Sequence, residues 1–165
     1  MNVAILAIGN EVLSGKTINT NSAFIAKQVE QLGGKVTHQQ VVPDLEDEIV
    51  RGLETAYTYA DLVITIGGLG PTVDDLSREG VAKYFKTELV YDEEIYEGIC
   101  AYFRRSNKEI PSNNHRQAYK FKEGLVLPNN NGTAPGLFLN QDNKSIFLLP
   151  GPPAELELMF SESVR

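Results

Sequence analysis

The residues best suited to chemistry lie between Leu62 and Asp75, in the sequence LVITIGGLGPTVDD. Three glycines between positions 67 and 70 are followed by the adjacent carboxylates Asp74 and Asp75. Glycine lacks Cβ, so the backbone there can come close to a ligand. A strand, a glycine loop and a helix N-terminus in that order form an anion site, because free N–H groups and the helix dipole point at the same place. The stretch therefore predicts a phosphate cradle, and its acids indicate a divalent metal shared with a phosphorylated ligand.

The structural alternative for this stretch is a tight strand-to-helix turn with two capping acids. Such a turn needs one glycine, whereas this stretch has three glycines, a proline and two acids, so a ligand site is favoured. Thr72 and Asp74 are candidate N-caps for a helix predicted from about 75 to 84.

Other polar or small residues could complete such a site. Glu11 follows the first predicted strand, where a carboxylate could hold metal or act as a general base, or be a solvated loop acid. Asn21 stands beside a predicted helix start, so helix capping explains it equally well. The polar run 113–117 and the small-residue turns 132–136 and 150–153 could each contact a ligand or form a plain loop.

The elements that must position these residues follow from periodicity. Strands are predicted at 3–8, 35–42, 62–66 and 125–127, with a hairpin around 140–144. Helices are predicted at 21–32, 44–56 with Asp44 as N-cap, 75–84, 93–106 and 154–160, with a polar loop at 10–19. This alternation gives an α/β fold with a mostly parallel sheet, whose ligands bind at the carboxyl ends of strands. We expect one domain over residues 1–165, with the loops after Ile8 and Ile66 at one sheet edge.

Composition limits the function classes. The chain has 165 residues and a net charge of −7. A nucleic-acid surface needs a basic stripe, so none is expected, whereas a small nucleotide held by backbone amides and metal is compatible with this charge. The single cysteine, Cys100, fits a reducing cytoplasmic compartment. No apolar run is long enough to span a bilayer, and the first residues lack a signal-peptide pattern.

Two common nucleotide motifs fail on spacing. Gly15-Lys16-Thr17 is similar to the end of a P-loop, but Gly9 and Gly15 enclose five residues where a P-loop has four. The dinucleotide fingerprint fails because no third glycine follows Gly68 and Gly70 at the required offset.

Six motifs, in order along nearly the whole chain, resemble the N-terminal domain of CinA, the competence/damage-inducible family, within the MogA/MoaB-like molybdopterin-binding superfamily. The motifs lie at 9–15 (GNEVLSG), 19–21 (NTN), 67–77 (GGLGPTVDDLS), 114–118 (NHRQA), 132–136 (GTAPG) and 149–153 (LPGPP).

The resemblance implies a three-layer α/β/α sandwich, mostly parallel with a C-terminal β-hairpin. It implies a metal-dependent ADP-ribose pyrophosphatase that releases AMP and ribose 5-phosphate, working as a homo-oligomer, either a dimer or a trimer. The implied cofactor is a divalent metal of the Mg, Mn or Co class, with potassium as a candidate monovalent cation. Catalytic and metal-binding roles fall on Asp75, Asp74 and Glu11. Ligand binding falls on Gly67, Gly68, Leu69, Gly70, Thr72, Asn21, Asn114, Gln117, Gly132, Thr133, Ala134, Gly136, Pro150 and Gly151.

One position departs from the molybdopterin-binding pattern. The relatives that bind molybdopterin carry Gly-Gly-Thr-Gly, with a functional aspartate eight positions after the first glycine, which corresponds to Asp75. Leu69 replaces the threonine and removes a hydroxyl from the loop, which favours the CinA branch. Three alternatives stay open: an adenylyltransferase acting on a pterin phosphate, a non-catalytic nucleotide-binding module, and a structural dimerisation domain.

Overall fold

A computed structural model describes residues 1–164 of the chain. Its strands are β1 (Asn2–Ile8), β2 (Lys35–Val42), β3 (Leu62–Ile66), β4 (Leu89–Tyr91), β5 (Tyr119–Phe121), β6 (Leu125–Leu127), β7 (Gly136–Gln141) and β8 (Lys144–Leu149). Its α-helices are α1 (Asn10–Leu13), α2 (Thr20–Gln31), α3 (Glu46–Ala56), α4 (Ser77–Phe85), α5 (Glu93–Arg105) and α6 (Pro153–Met159). A 3-10 helix spans Ser112–Ala118, and a π-helix spans Phe160–Val164.

The main sheet has the strand order β2-β1-β3-β8-β7-β6. Strands β2, β1, β3 and β8 run parallel, and β7 runs antiparallel to both β8 and β6. The predicted mostly parallel sheet with a C-terminal hairpin is confirmed, and β2 lies at one edge of the sheet. Asp142 and Asn143 close the hairpin with φ of 53° and 61°, the left-handed conformation that two-residue hairpin turns favour.

Two apolar clusters, one on each face of the sheet, make the three predicted layers. Leu6 of β1 packs in one cluster with Ile49 of α3 and Val81 of α4. Ile5, the preceding residue of β1, packs on the other face with Ile25 of α2. Successive strand side chains point to opposite faces, so one strand supplies both cores.

A second, two-stranded sheet of β4 and β5 was not predicted. Each strand has only three residues, which is too short for alternation to indicate a strand. Asp92 follows β4 directly and caps α5 by accepting hydrogen bonds from the N–H groups of Glu94 and Ile95.

Three predicted element boundaries were wrong, and in the first case an acidic side chain has another partner. Asp44 does not cap α3, which begins at Glu46; its carboxylate accepts from the N–H of Asn10 at 2.7 Å. Helix α4 begins at Ser77 rather than near 75. The predicted loop 10–19 opens with the short helix α1.

Within residues 1–164, no helix is long and apolar enough to cross a membrane. The expectation of a single domain over residues 1–165 stays a prediction.

Candidate functional site

The site forms where β1 and β3 end side by side. These strands are parallel neighbours with Ala7 opposite Ile66, so the loops that follow them share one sheet edge, as predicted. Gly67 has φ of 92°, and a Cβ there would lie 2.5 Å from the backbone oxygen of Ile8. Its N–H donates to the carbonyl of Leu149 at 2.9 Å. Only glycine fits this position, because both the space and the backbone conformation exclude a side chain.

The glycine loop, residues 67–70, is held in place by hydrogen bonds from the first two residues of α4 to its carbonyl groups. The hydroxyl of Ser77 donates to the carbonyl of Gly67 at 2.6 Å, and the N–H of Ser77 donates to the carbonyl of Gly68 at 3.1 Å. The guanidinium of Arg78 donates to the carbonyls of Leu69 and Gly70 at 3.0 and 3.1 Å. All the carbonyls of the loop are therefore directed into the protein.

Arg78 is a buried cation whose hydrogen bonds go to the carbonyls of this loop. It is 1% exposed, and no salt bridge to it occurs among the described residues. Burial lowers the pKa of its guanidinium, an effect that the carboxylates of Glu79 and Asp75 oppose. Gln117, from the 3-10 helix, donates to the carbonyl of Leu69 as well, at 3.4 Å.

The inward carbonyls determine where the loop amides point. In a trans peptide unit the C=O and the following N–H point in opposite directions. Because the carbonyls of residues 67–69 face α4, the N–H groups of Gly68, Leu69 and Gly70 face away from it. No acceptor for these three N–H groups occurs in the part of the chain that the structure describes. Three adjacent free donors can bind an anion such as a phosphate.

A cavity of about 250 Å³ opens over these amides. It brings together most of the predicted site residues from separate loops. Its walls contain Glu11, Gly67, Gly68, Leu69, Gly70, Asp75, Gln117, Thr133, Ala134, Pro150 and Gly151, with Pro152 and Glu155 in addition. The carboxylates of Glu11 and Asp75 therefore share the cavity with the free amides.

Asp75 is held by the loop rather than by a helix. Its Oδ2 accepts from the N–H and the hydroxyl of Thr72 at 2.9 and 2.6 Å. The expectation that Asp75 lies in the first turn of α4 was wrong, since that helix starts two residues later. A Cβ on Gly70 would lie 2.5 Å from this carboxylate, so the glycine makes room for the acid.

Six of the predicted site residues do not line this cavity, and their roles in ligand or metal binding stay predictions. Asp74 and Thr72 are exposed, and Gly136 starts β7 against Met159. The side chain of Asn21 donates to the carbonyl of Gly151 at 2.7 Å and so fixes a turn that does line the cavity. The two others support lining residues: Asn114 donates to Gln117 at 2.8 Å, and Gly132 lies directly against the carboxylate of Glu155.

The acids near the loop repel one another. Burial raises the pKa of the Asp44 carboxyl, the N–H of Asn10 opposes that shift, and the charges of Glu11, Asp75 and Asp74 raise it further. Asp44, predicted only as a helix cap, thus belongs to this acidic group. A bound cation relieves repulsion of this kind.

The donor set fits a cation that is shared with a phosphate. Among residues 1–164, no group of three or more His, Cys, Asp or Glu side chains is arranged to hold a metal ion alone. Magnesium typically takes one or two carboxylates and completes its shell with water and substrate phosphates. Glu11 and Asp75, in the cavity with the free amides, match that pattern.

Ser77, Arg78 and Glu155 were not predicted as site residues. Arginine is mostly exposed in proteins, so composition gave no reason to bury Arg78 beneath a loop. Glu155 stands two residues after the turn at 150–153, and an acid close behind a turn that could contact a ligand was the available signal. Burial raises the pKa of the Glu155 carboxyl, which Asn129 opposes by donating to it at 2.7 Å.

Residues 4–165 match the family described as "Probable molybdopterin binding domain". Two relatives described as "Putative competence-damage inducible protein" come from Clostridium perfringens (strain SM101 / Type A) and Clostridium beijerinckii. They are 48% and 44% identical over 165 residues, which is 99% and 100% of this chain and 40% of each relative. The chain thus spans about two fifths of the length of these curated relatives.

Solved structures give the same relationship. The crystal structure of "the protein CinA with unknown function" from Thermoplasma acidophilum has a TM-score of 0.88 at 35% identity, covering 97% of this chain and 94% of that one. The tungsten cofactor synthesizing protein MoaB from Pyrococcus furiosus has a TM-score of 0.62 at 15% identity, covering 97% of this chain and 88% of that one. The second similarity concerns the fold alone.

Proposed function

From the premise that this chain belongs to the probable molybdopterin binding domain family, as a CinA N-terminal domain of the MogA/MoaB-like superfamily, we propose that it hydrolyses the pyrophosphate of ADP-ribose. The products are AMP and ribose 5-phosphate. The observation that carries the proposal is the glycine loop, whose carbonyls are all bound by Ser77 and Arg78 while three N–H groups face the cavity.

The loop amides would hold one phosphate of the pyrophosphate. Backbone donors in fixed positions lose no side-chain entropy on binding, and the buried charge of Arg78 behind the loop favours an anion. Arg78 also polarises the peptide between Leu69 and Gly70, because it donates to that carbonyl. Positioning and charge stabilisation supply most of the catalysis in phosphoryl transfer, so few reacting side chains are needed.

Two carboxylates are proposed to hold the metal, and a third to handle a proton. Glu11 and Asp75 would hold a divalent ion of the Mg, Mn or Co class; when bound, such an ion stabilises phosphoryl charge and acidifies water. Asp74 stays a secondary candidate as a ligand of that metal, and potassium stays a candidate monovalent cation. Glu155 lines the same cavity, and its raised pKa lies closer to neutral pH than an ordinary glutamate, which suits proton transfer to or from water.

A pterin phosphate is the second candidate ligand. The matched family description favours it, and so does the position of Leu69. That side chain is 2% exposed and packs in the core, so the replacement of threonine changes the packing beneath the loop rather than a group facing the ligand. The same cradle therefore suits adenylylation of a pterin phosphate.

A screen of ligands with several metals tests the two functions. The protein is incubated with ADP-ribose, or with ATP and a pterin phosphate, each with Mg, Mn or Co and with or without potassium. AMP plus ribose 5-phosphate in the chromatogram supports the hydrolase, and an adenylylated pterin supports the transferase. In the same assay, Asp75→Asn removes a charge that is proposed to hold the metal. Asp142→Asn is the matched control, because it removes an acid at a hairpin position whose left-handed φ asparagine tolerates.

Three further proposals concern the binding partner, the oligomeric state and the location of the protein. We propose a small nucleotide as the partner, a dimer or trimer as the working form, and a cytoplasmic location. Analytical ultracentrifugation of the purified chain, with and without ADP-ribose, tests the oligomeric state.

A further inference from the structure

A second cavity, about twice the volume of the one over the glycine loop, lies beside it. A groove of about 550 Å³ lies between α5 on one side and β6 with residues 128–135 on the other. Its volume falls within the range of small-molecule sites. The proposed hydrolysis assigns no role to this groove.

The groove adjoins the glycine-loop cavity. Thr133 lines both cavities. Gly132 lines the groove and lies against the carboxylate of Glu155, which lines the cavity. The segment 128–135, here called the asparagine loop, is therefore a common wall, and a ligand extended past Thr133 would reach from one cavity into the other.

Side-chain hydrogen bonds to α6 hold the asparagine loop in place. Asn129 donates to Glu155 at 2.7 Å and to the carbonyl of Ala134 at 2.8 Å. Asn131 donates to the carbonyl of Ala154 at 3.0 Å. These bonds give the groove a wall of fixed position, which a binding site requires.

The opposite wall of the groove is a face of α5 that includes a glycine. Ile95, Ile99 and Tyr102 line it at helical spacing together with Gly98. A Cβ at Gly98 would have no atom within 4 Å, so this residue borders open space. Glycine in a helix interior is unfavourable, yet here it leaves room for a ligand.

Charged groups also line this groove. Lys120 pairs with Asp92 at 2.8 Å, and both line the groove together with Arg105. A groove lined by apolar side chains, an aromatic ring and charged donors has the chemistry that binds a flat heterocycle, which stacks through its faces and forms hydrogen bonds at its edges.

We infer that this groove binds the fused heteroaromatic ring of the ligand whose phosphate lies on the glycine loop. The ring is the purine of a nucleotide or a pterin, which share a planar two-ring system with polar edges. The inference rests on the phosphate-binding part of the proposed function and needs no hydrolysis. It assigns α5 and the asparagine loop to ligand specificity.

The test fills the groove and measures binding of two kinds of probe. Gly98→Leu places a side chain in the open space and removes a helix-disfavouring glycine, so the protein is expected to fold. Glu97→Leu is the matched control, since it adds a leucine to α5 at an exposed position outside the groove. Affinities for AMP, 6-hydroxymethylpterin and pyrophosphate are measured by calorimetry.

We expect Gly98→Leu to weaken AMP or the pterin by about 10-fold or more, with pyrophosphate unchanged and the control like wild type. Ala101→Leu, which fills the groove from the next turn, is expected to act likewise. Unchanged affinity for both ring compounds in both filled variants overturns the inference, as does a wild-type protein that binds neither. A wild-type protein that binds AMP in a Gly98-sensitive way but never cleaves ADP-ribose disproves the hydrolase and supports the groove.

Discussion

The glycine loop and the asparagine loop border the same cavity but are fixed in opposite ways. The glycine loop is held by its carbonyls, which accept from Ser77 and Arg78, so its amides stay free. The asparagine loop is held by its own side-chain amides, which donate to α6 and to its own backbone. A loop fixed through its carbonyls presents backbone donors and suits an anion; a loop fixed through its side chains serves as a wall. The two loops should therefore respond differently to substitution.

The largest expected effect is on turnover, at Asp75. If its carboxylate holds metal, Asp75→Asn keeps the shape and an acceptor for Thr72 but loses the charge. We expect hydrolysis to fall by about 100-fold or more, with the free energy of unfolding changed by less than about 1 kcal/mol. Metal-free affinity for ADP-ribose should stay equal or improve, because a negative charge near the pyrophosphate is gone.

Hydrolysis measured against metal concentration, with metal-free calorimetry, checks this prediction. Turnover equal to wild type would remove Asp75 from the metal site. Loss of metal-free binding would instead identify a direct contact between Asp75 and the ligand.

Arg78→Met tests the carbonyl support of the glycine loop. The change leaves the carbonyls of Leu69 and Gly70 without their charged donor, so we expect a loss of about 2–3 kcal/mol in unfolding free energy and weaker binding of pyrophosphate. Urea unfolding and calorimetry measure the two effects. Arg51→Met is the control, because its exposed pair with Glu48 should contribute less than about 1 kcal/mol. Equal effects of the two variants would contradict the role of Arg78.

Gly70→Val separates ligand approach from folding. Gly70 does not have a positive φ, so a side chain there is not strained by the backbone, but its Cβ would displace the Asp75 carboxylate. We expect near-native thermal unfolding and a loss of about 10-fold or more in ADP-ribose affinity, as for a misplaced positioning group. Unchanged affinity by calorimetry would count against the cradle.

Asn129→Ala tests the side-chain support of the asparagine loop. We expect a loss of about 1 kcal/mol at pH 7, because Asn129 donates to an ionised carboxylate. Burial already raises the folded-state pKa of Glu155 above its unfolded value, so the folded state binds the proton more tightly and stability falls as pH rises through that interval. Without Asn129 the pKa of Glu155 rises further, so the variant should lose more stability at pH 7 than at pH 4.

Thermal unfolding at both pH values measures the stability of the Asn129→Ala variant, with Asn130→Ala as the exposed control. A loss of stability that does not depend on pH would refute the prediction.

The smallest expected effect is at Lys16. It is exposed and does not line the cavity over the glycine loop, so Lys16→Ala should retain most activity in the ADP-ribose assay. A loss of about 100-fold, the scale of a removed contact to the transition state, would restore the P-loop interpretation.

Residue types predicted the backbone part of this fold and site well. The apolar runs of β1 and β3 and the glycines after β3 could serve few purposes, so the position of the loops after Ile8 and Ile66 at one end of the sheet followed directly. Acids were less informative. Asp44 was predicted to cap a helix and Asp75 to begin one, yet Asp44 accepts from the N–H of Asn10 and Asp75 accepts from Thr72, because a carboxylate accepts from whichever donor the tertiary fold brings near. The roles of Arg78 and Glu155 depend on burial and on distant partners, which periodicity does not encode.

The position of β8 between β3 and β7 has a consequence for how the protein forms during synthesis. Thr65 hydrogen-bonds to Phe147 across 82 positions, and the loop N–H of Gly67 reaches Leu149 at the end of the same strand. Contacts so distant in sequence form slowly, because the intervening chain must first be ordered. On the ribosome, β1, β2 and β3 can emerge and pair before β8 exists. The glycine loop would then be among the last parts of residues 1–164 to become ordered, and binding of a ligand there would follow completed folding rather than assist its early steps.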